Sequence, residues 1–517
     1  MSEFRRLGNL ITLLLPARSY KIDCALTTEK LMPGIEQFAC RLLLIFDHLY
    51  PSEIQNYFGL SDREREVLLD SLLASRLVRI KPEGSIEASQ FLRKHAESNN
   101  GRPSLVKYQE RTEEVTFDLL TLSVCKAQPY RRITSGLPEL LPRNRVSADS
   151  AMVMEAFSLQ FCDHLTLSRT NEYERQRTQL YKIMGCSSQE MVQIPVEVEV
   201  HYEVLSNGEL RKLTRSYERA NNNRLPLTNE LETHIANFLG EQEIYELGIN
   251  CESYCELVND SVLKRFSKGY KFDYAGWLEA REQRKTGYGS QQTKGLIGAI
   301  YLPENAKRFI NDLHDALRHF EGQLTSKIIW YSSDVPLWGA NSSQLVEFNR
   351  ELKAILESYN EDKTAQLVLL HGGENKEENR IKRQRHVGRF PNGVSLNSVA
   401  QFDRLELLLI PNVIGMVQYH AQPNQESAMT LPIGYLTTEP ERLKMLEGIL
   451  VKRTSGSKAT VSWSETREET LSTLLTDEIL AELSPESGPE VAQAQRRKQT
   501  VERGLVARAI LSLRQRS

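Results

Sequence analysis

Pro51-Ser-Glu-Ile-Gln-Asn-Tyr-Phe-Gly59, followed at once by Ser61-Asp-Arg-Glu64, reads as the end of one helix and the start of another. Proline in the first turn and glycine just past the last residue bracket a short helix. Ser61 and Glu64 have the spacing of a capping box, in which the hydroxyl and the carboxylate each take an orphan backbone amide of the next helix. That helix carries Val67, Leu68, Leu72, Leu73 and Leu77 on one face. It gives way to the extended Leu77-Val78-Arg79-Ile80 and the turn Lys81-Pro-Glu-Gly84. Upstream, Phe38–Phe46 predicts a further apolar helix.

Helix, short helix, helix, strand and turn, over residues 33–95, resemble a winged helix-turn-helix domain. Such domains read DNA or dock proteins, and the charge of the third helix discriminates. It opens Asp62-Arg63-Glu64-Arg65-Glu66, and from Pro51 to His95 seven acids face seven bases. A salt-laced docking surface is favoured over base reading by Arg63 and Arg65.

The whole chain has 517 residues, 40% hydrophobic and 26% charged, which predicts three or four folded domains. A net charge of −3 restricts any nucleic-acid contact to local patches. Seven scattered cysteines argue for reduced thiols, and no apolar run reaches the ~20 residues of a membrane helix. The expectation is a soluble, cytoplasmic protein that binds no membrane.

Beyond a polar break at 97–103, a mixed α+β region is expected over 104–285. Its clearest feature is a strand at Met191–Val204, with Val196, Val198, Val200 and Tyr202 on one face and Glu197, Glu199, His201 and Glu203 on the other. Asn207-Gly208 then signals a hairpin near 192–214. Over 287–452 strands and helices alternate: Leu296–Leu302, Pro303–Phe320, Lys327–Tyr331, Gln344–Tyr359, Ala365–His371, Leu405–Ile410, Ile414–His420 and Glu439–Leu450. Alternation predicts a three-layer α/β domain with a mostly parallel sheet, so the fold class is multidomain α/β. Residues 453–517 read as a polar linker and a basic C-terminal helix bearing Arg496 and Arg497.

Ligands of open α/β sheets bind beyond the carboxyl ends of the strands. There lie Asp334, His371 with Gly372-Gly373, and His420, the catalytic candidates. The densest basic stretch follows: Lys376, Arg380, Lys382, Arg383, Arg385, His386 and Arg389 suit a phosphate-bearing ligand or nucleic acid. No phosphate loop, dinucleotide fingerprint or zinc-protease motif is present, so no cofactor or metal is implied.

The element order and a histidine ending an apolar strand resemble the phospholipase D-like superfamily, whose enzymes attack phosphodiesters with an H-x-K histidine. His420 is followed by Ala421-Gln422 and His371 by two glycines, so the lysine is missing both times. The resemblance implies a hydrolytic chemistry that has been lost, and no catalytic residue is carried over from it. The leading expectation is a non-enzymatic or weakly enzymatic component of a bacterial multiprotein system acting on nucleic acid, of the kind found in phage-defence gene clusters. It would work with other protein subunits. A phosphodiesterase using His371, His420 and Asp334 is the first alternative. A winged-helix regulator whose α/β domain senses a ligand is the second.

Overall fold

The computed structural model describes residues 5–30, 33–98, 105–126, 134–141, 149–168, 171–204, 210–217, 229–242, 248–269, 271–283, 287–373, 375–397, 404–422, 429–466 and 469–483. Arg496, Arg497 and the Asn207-Gly208 turn lie outside the described residues.

The chain enters as one long strand, β1 (Arg5–Lys30), and then forms α1 (Gly34–Ile45), α2 (Pro51–Phe58) and α3 (Asp62–Ala74). Gly59 ends α2 at φ +65. The Glu64 carboxylate accepts the Ser61 amide at 2.9 Å, while the Ser61 hydroxyl oxygen accepts the Glu64 amide at 3.4 Å. A β2 (Val78–Ile80) and β3 (Ile86–Ala88) hairpin and α4 (Gln90–Ser98) complete this module. Leu43, Ile54, Leu68, Leu72, Leu77, Ile86 and Leu92 are its core.

The module is inserted at the far end of a β ribbon. β4 (Leu105–Asp118) returns antiparallel to β1, with Leu105 opposite Lys30. β5 (Val124–Cys125), α5 (Ser150–Leu159), α6 (Phe161–Leu167) and α7 (Glu172–Arg175) lead to β6 (Thr178–Val204), which pairs with the other edge of β1, and then to β7 (Leu210–Tyr217). At ~3.3 Å per residue, β1 spans about 85 Å. Ile11, Leu13, Leu15 and Ala17 enter one core, whereas Tyr20, Ile22, Cys24 and Leu26 enter another with Phe157 and Phe161. Side chains alternate along a strand, so odd residues followed by even ones place the two cores on opposite faces of the ribbon.

α8 (Asn229–Gly240), α9 (Cys251–Leu257), α10 (Ser261–Lys264), the pair β8 (Ser267–Lys268) and β9 (Lys271–Phe272), and α11 (Tyr274–Glu282) come next. The rest of the chain builds a second sheet and its helices. These are β10 (Thr293–Ile297), α12 (Pro303–Arg318), β11 (Lys327–Tyr331), α13 (Gln344–Tyr359), β12 (Gln366–Gly372), α14 (Lys376–His386), β13 (Asn392–Asn397), β14 (Leu405–Ile410), β15 (Ile414–Ala421), β16 (Leu431–Thr437), α15 (Pro440–Thr454), β17 (Lys458–Trp463), α16 (Leu471–Leu474) and α17 (Asp477–Glu482). The strand order is β10-β16-β15-β14-β11-β12-β13-β17.

The protein is therefore mixed α/β with a large mixed sheet, and the mostly parallel expectation is corrected. Only β11–β12 and β12–β13 are parallel; every other neighbour pair is antiparallel. The parallel pairs are those joined by α13 and α14, as crossovers require. β14 and β15 have no helix between them: Asn412 at φ +60 turns the chain, and the two strands must run antiparallel. The edge strand β17 also lies beyond Lys452, in the stretch read as a polar linker.

Alternate residues of the sheet face different layers. Ile328, Trp330, Leu367, Leu369 and Leu408 meet α12 and α13. Ile329, Val368, Leu407 and Leu409 meet α15, α9, α11 and the near half of the β1–β6 ribbon. Among the described residues, no helix is long and apolar enough to cross a membrane.

A cationic cavity at the strand ends

β11 ends at Tyr331, and its chain turns through Ser332–Asn341 instead of entering α13 directly. Ser332 is tied to β12 by its amide and hydroxyl, both donating to the Leu370 carbonyl at 3.0 and 3.1 Å. Leu337 is held at φ +60 and Gly339 at φ +64. For leucine that is a strained conformation costing of order 1–3 kcal/mol, and such strain gathers at binding sites. The loop is pinned to β1, where the Thr12 amide donates to the Ala340 carbonyl at 2.7 Å and the Asn341 amide group donates to the Leu10 carbonyl at 3.1 Å.

This loop, α14 with its C-terminal extension to Arg389, α8 and the segment 136–139 line an open cavity of about 550 Å³. The segment is fixed to β1 in turn: the Leu14 amide donates to the Pro138 carbonyl, and the Leu140 amide to the Leu14 carbonyl, each at 2.8 Å. Gly136 sits at φ +71, where a Cβ would fall 1.9 Å from the Gln384 carbonyl oxygen. Only glycine lets the segment lie this close to α14.

The cavity walls carry Lys382, Arg385, Arg389 and Arg404 against the carboxylates of Asp334 and Glu139. Lys382 pairs with Asp334 at 2.9 Å. Burial raises the Asp334 carboxyl above its ordinary range, and the Lys382 ammonium pulls it partly back. Arg389 is only 4% exposed, and its Nη1 donates to the Ser135 carbonyl at 3.1 Å. Its buried Nε finds no acceptor among the described residues. Burial lowers the Arg389 pKa to about 10, so the guanidinium stays charged near neutrality. His386, also in the wall, is buried against Trp338 with ring centroids 5.4 Å apart. Burial, then the neighbouring Arg389, push its pKa well below the usual histidine range, and Nδ1 has no partner among the described residues. The lining also carries the apolar Leu137, Phe238, Val335, Leu337 and Trp338.

The basic stretch thus divides. Lys382 and Arg389 point inward, Arg385 stands at the exposed rim and lines the cavity, and Lys376, Arg380 and Arg383 lie on the outer face of α14. Arg380 is engaged there by Glu377, its Nε donating at 3.0 Å.

The three catalytic candidates are not brought to one place. Asp334 lines the cavity. His371 is buried on the sheet, stacked on Trp463 at 5.4 Å, and burial lowers its pKa to about 4. His420 is 3% exposed with both ring nitrogens engaged, Nε2 with Glu406 at 2.7 Å and Nδ1 with Thr430 at 3.1 Å. β14 and β11 stand between β15 and β12, so the two histidines are three strand spacings apart, about 14 Å. Arg404, Phe238 and the segment 136–139 are cavity residues that the sequence reading misses. No local signal marks them, because each is isolated in the chain and joins the cavity only through tertiary packing. Among the described residues, no group of histidine, cysteine and carboxylate side chains is placed to hold a metal ion.

No protein-family model matches the chain, and no curated protein matches its sequence. Among solved structures it has a distant likeness to TrmBL2, an archaeal chromatin protein whose structure is described as showing a novel mode of DNA binding. The identity is 8%, the alignment covers 81% of this chain and 90% of that one, and the TM-score is 0.19, too low to carry an inference about fold or function.

Proposed function

We propose that this chain is a non-catalytic component of a multiprotein system that acts on nucleic acid, and that its α/β half recognises an anionic group. The observation that carries the reading is the charge of the cavity: four permanent cations face two carboxylates, and buried Arg389 has no ion pair among the described residues. A buried, uncompensated guanidinium costs several kcal/mol unless an anion joins it. The three candidates for hydrolysis are not assembled there. His371 is not in the cavity wall, and His420 has no free ring nitrogen. The winged-helix-like module supplies a second contact surface, for a protein partner or for nucleic acid.

The purified chain is expected to bind single- or double-stranded nucleic acid without sequence preference, with an affinity that falls steeply with salt. It should not turn over DNA, RNA or a model phosphodiester. Hydrolysis abolished by His371→Ala or His420→Ala would sink the non-catalytic part, and no binding even at low salt would sink the nucleic-acid part.

One observation favours a second reading, a regulator in which a ligand alters the winged-helix-like module. β1 bonds both cavity walls at Thr12 and Leu14 and then continues unbroken to the base of that module.

A further inference from the structure

We propose that the cavity is the binding site of a small phosphate-bearing ligand of nucleotide size, with its phosphate at the Lys382–Arg385–Arg389 end and its apolar or aromatic part on the Leu337–Trp338–Phe238 wall. The inference rests on the reading that this cavity receives an anion, and it names the anion's chemistry.

Charge selects phosphate over a lone carboxylate. The permanent cations of the wall outnumber its carboxylates by two, which a phosphate monoester dianion balances and a carboxylate does not. A phosphate also offers three terminal oxygens, enough to accept from a lysine and two arginines together. Arg389, which lines the cavity with no ion pair among the described residues, and Arg385 at the rim remain for a ligand. Neutral His386 adds no charge and supplies a polar edge beside the aromatic surface of Trp338.

Shape selects a small molecule over a threaded strand. The segment 136–139, α8, loop 332–340 and α14 all contribute to its lining. A volume of about 550 Å³ falls within the ~300–1,000 Å³ range of small-molecule sites. The lining also mixes charge with apolar surface, with Lys382, Arg385 and Arg389 on α14 and its extension, Arg404 before β14, and apolar side chains on the loop, α8 and the segment at Leu137, as an amphipathic ligand with one charged end requires.

The test is calorimetric titration of the full chain with the four ribonucleoside 5′-monophosphates, the corresponding nucleosides and inorganic phosphate. At least one monophosphate is expected to bind with a Kd of about 100 µM or below. Its nucleoside and inorganic phosphate should each be weaker by roughly tenfold or more, since each lacks one half of the contacts. Arg385→Ala, at the exposed rim and harmless to the core, should weaken the monophosphate about tenfold. Arg389→Met should abolish binding, yet leave the unliganded melting temperature unchanged or higher because a buried unpaired charge is removed. No monophosphate binding at ~1 mM, or binding indifferent to both substitutions, overturns the proposal. A short oligonucleotide that binds through Arg389 where no monophosphate does would also overturn it while leaving the nucleic-acid reading intact. Monophosphate binding without any affinity for nucleic acid would uphold it and sink that reading instead.

Discussion

Two buried histidines on the same sheet face have different neighbours. His420 and Glu406 form a pair sealed from solvent, and Glu406 also accepts from the Trp330 indole at 2.9 Å. Removing one member of such a pair strands the other, so His420→Ala is expected to lower stability by about 3–5 kcal/mol in denaturant unfolding. A loss under about 1 kcal/mol would show that the pair is not closed to water. His371 has no carboxylate and is kept neutral by burial, with a pKa near 4 against the ordinary 6.5. As pH falls from 6.5 towards 4, the unfolded chain takes up a proton that folded His371 refuses, so its contribution to stability is full above 6.5 and declines across that window. The decline amounts to about 3 kcal/mol if the full shift is expressed. Asp334 works in the opposite sense, since its raised pKa lets the folded state take a proton first. His371→Phe should therefore flatten the stability profile between pH 6.5 and 4, and an unchanged slope would assign the acid sensitivity to other groups.

Elements that carry their own start and stop signals are readable from sequence; those defined only by distant partners are not. The α2–α3 junction is legible because Gly59, Ser61 and Glu64 solve local backbone problems. α13 is legible because an apolar stripe including Leu345, Phe348, Leu352 and Leu356 repeats at helical spacing. β1 is not: Leu10–Leu15 reads only as an apolar run, since Leu10 joins one core and Ile11, Leu13, Leu14 and Leu15 all join another, which removes the period-two alternation. Strand direction in the second sheet fails for a related reason, as β13, β14, β15 and β16 follow one another with no helix between them among the described residues, so no crossover sets them parallel. Of the cavity lining, Lys382, Arg385, Arg389 and Asp334 are residues the sequence singles out. Arg404 and the segment at Gly136 are not, because tertiary approach alone makes them neighbours. Gly136 offers a sharp test of that approach. Gly136→Val would strain a φ of +71 and press a side chain into the α14 backbone, so a loss of about 2 kcal/mol or more is expected together with faster amide exchange at Leu14 and Leu140. Full stability with slow exchange would mean the segment closes the cavity in another way.

At the scale of the whole molecule, β1 is a shared structural member. It crosses from the cavity walls, through two cores on opposite faces, to the inserted module some tens of ångströms away. Two surfaces then compete as the place where nucleic acid would lie. On the module, Arg65 donates to Gln55 and pairs with Asp62 at 3.1 Å, and the adjoining turn of α3 also carries Glu64 and Glu66, so little positive field remains there. On the outer face of α14, Lys376 and Arg383 are exposed and form no ion pair among the described residues, whereas Arg380 is engaged by Glu377. Phosphates are drawn to unneutralised charge, and each cation that contacts one releases about one counterion. Lys376→Ala with Arg383→Ala is therefore expected to weaken binding to a mixed-sequence duplex and to reduce the slope of log K against log salt by up to about two. Arg63→Ala with Arg65→Ala should change that slope by less than half as much, because Arg65 is already committed to its own helix. Titrations at several salt concentrations separate these outcomes. Equal changes for the two double variants, or a larger one at Arg63 and Arg65, would place nucleic acid on the third helix of the module and make it a reader of DNA instead of a docking surface.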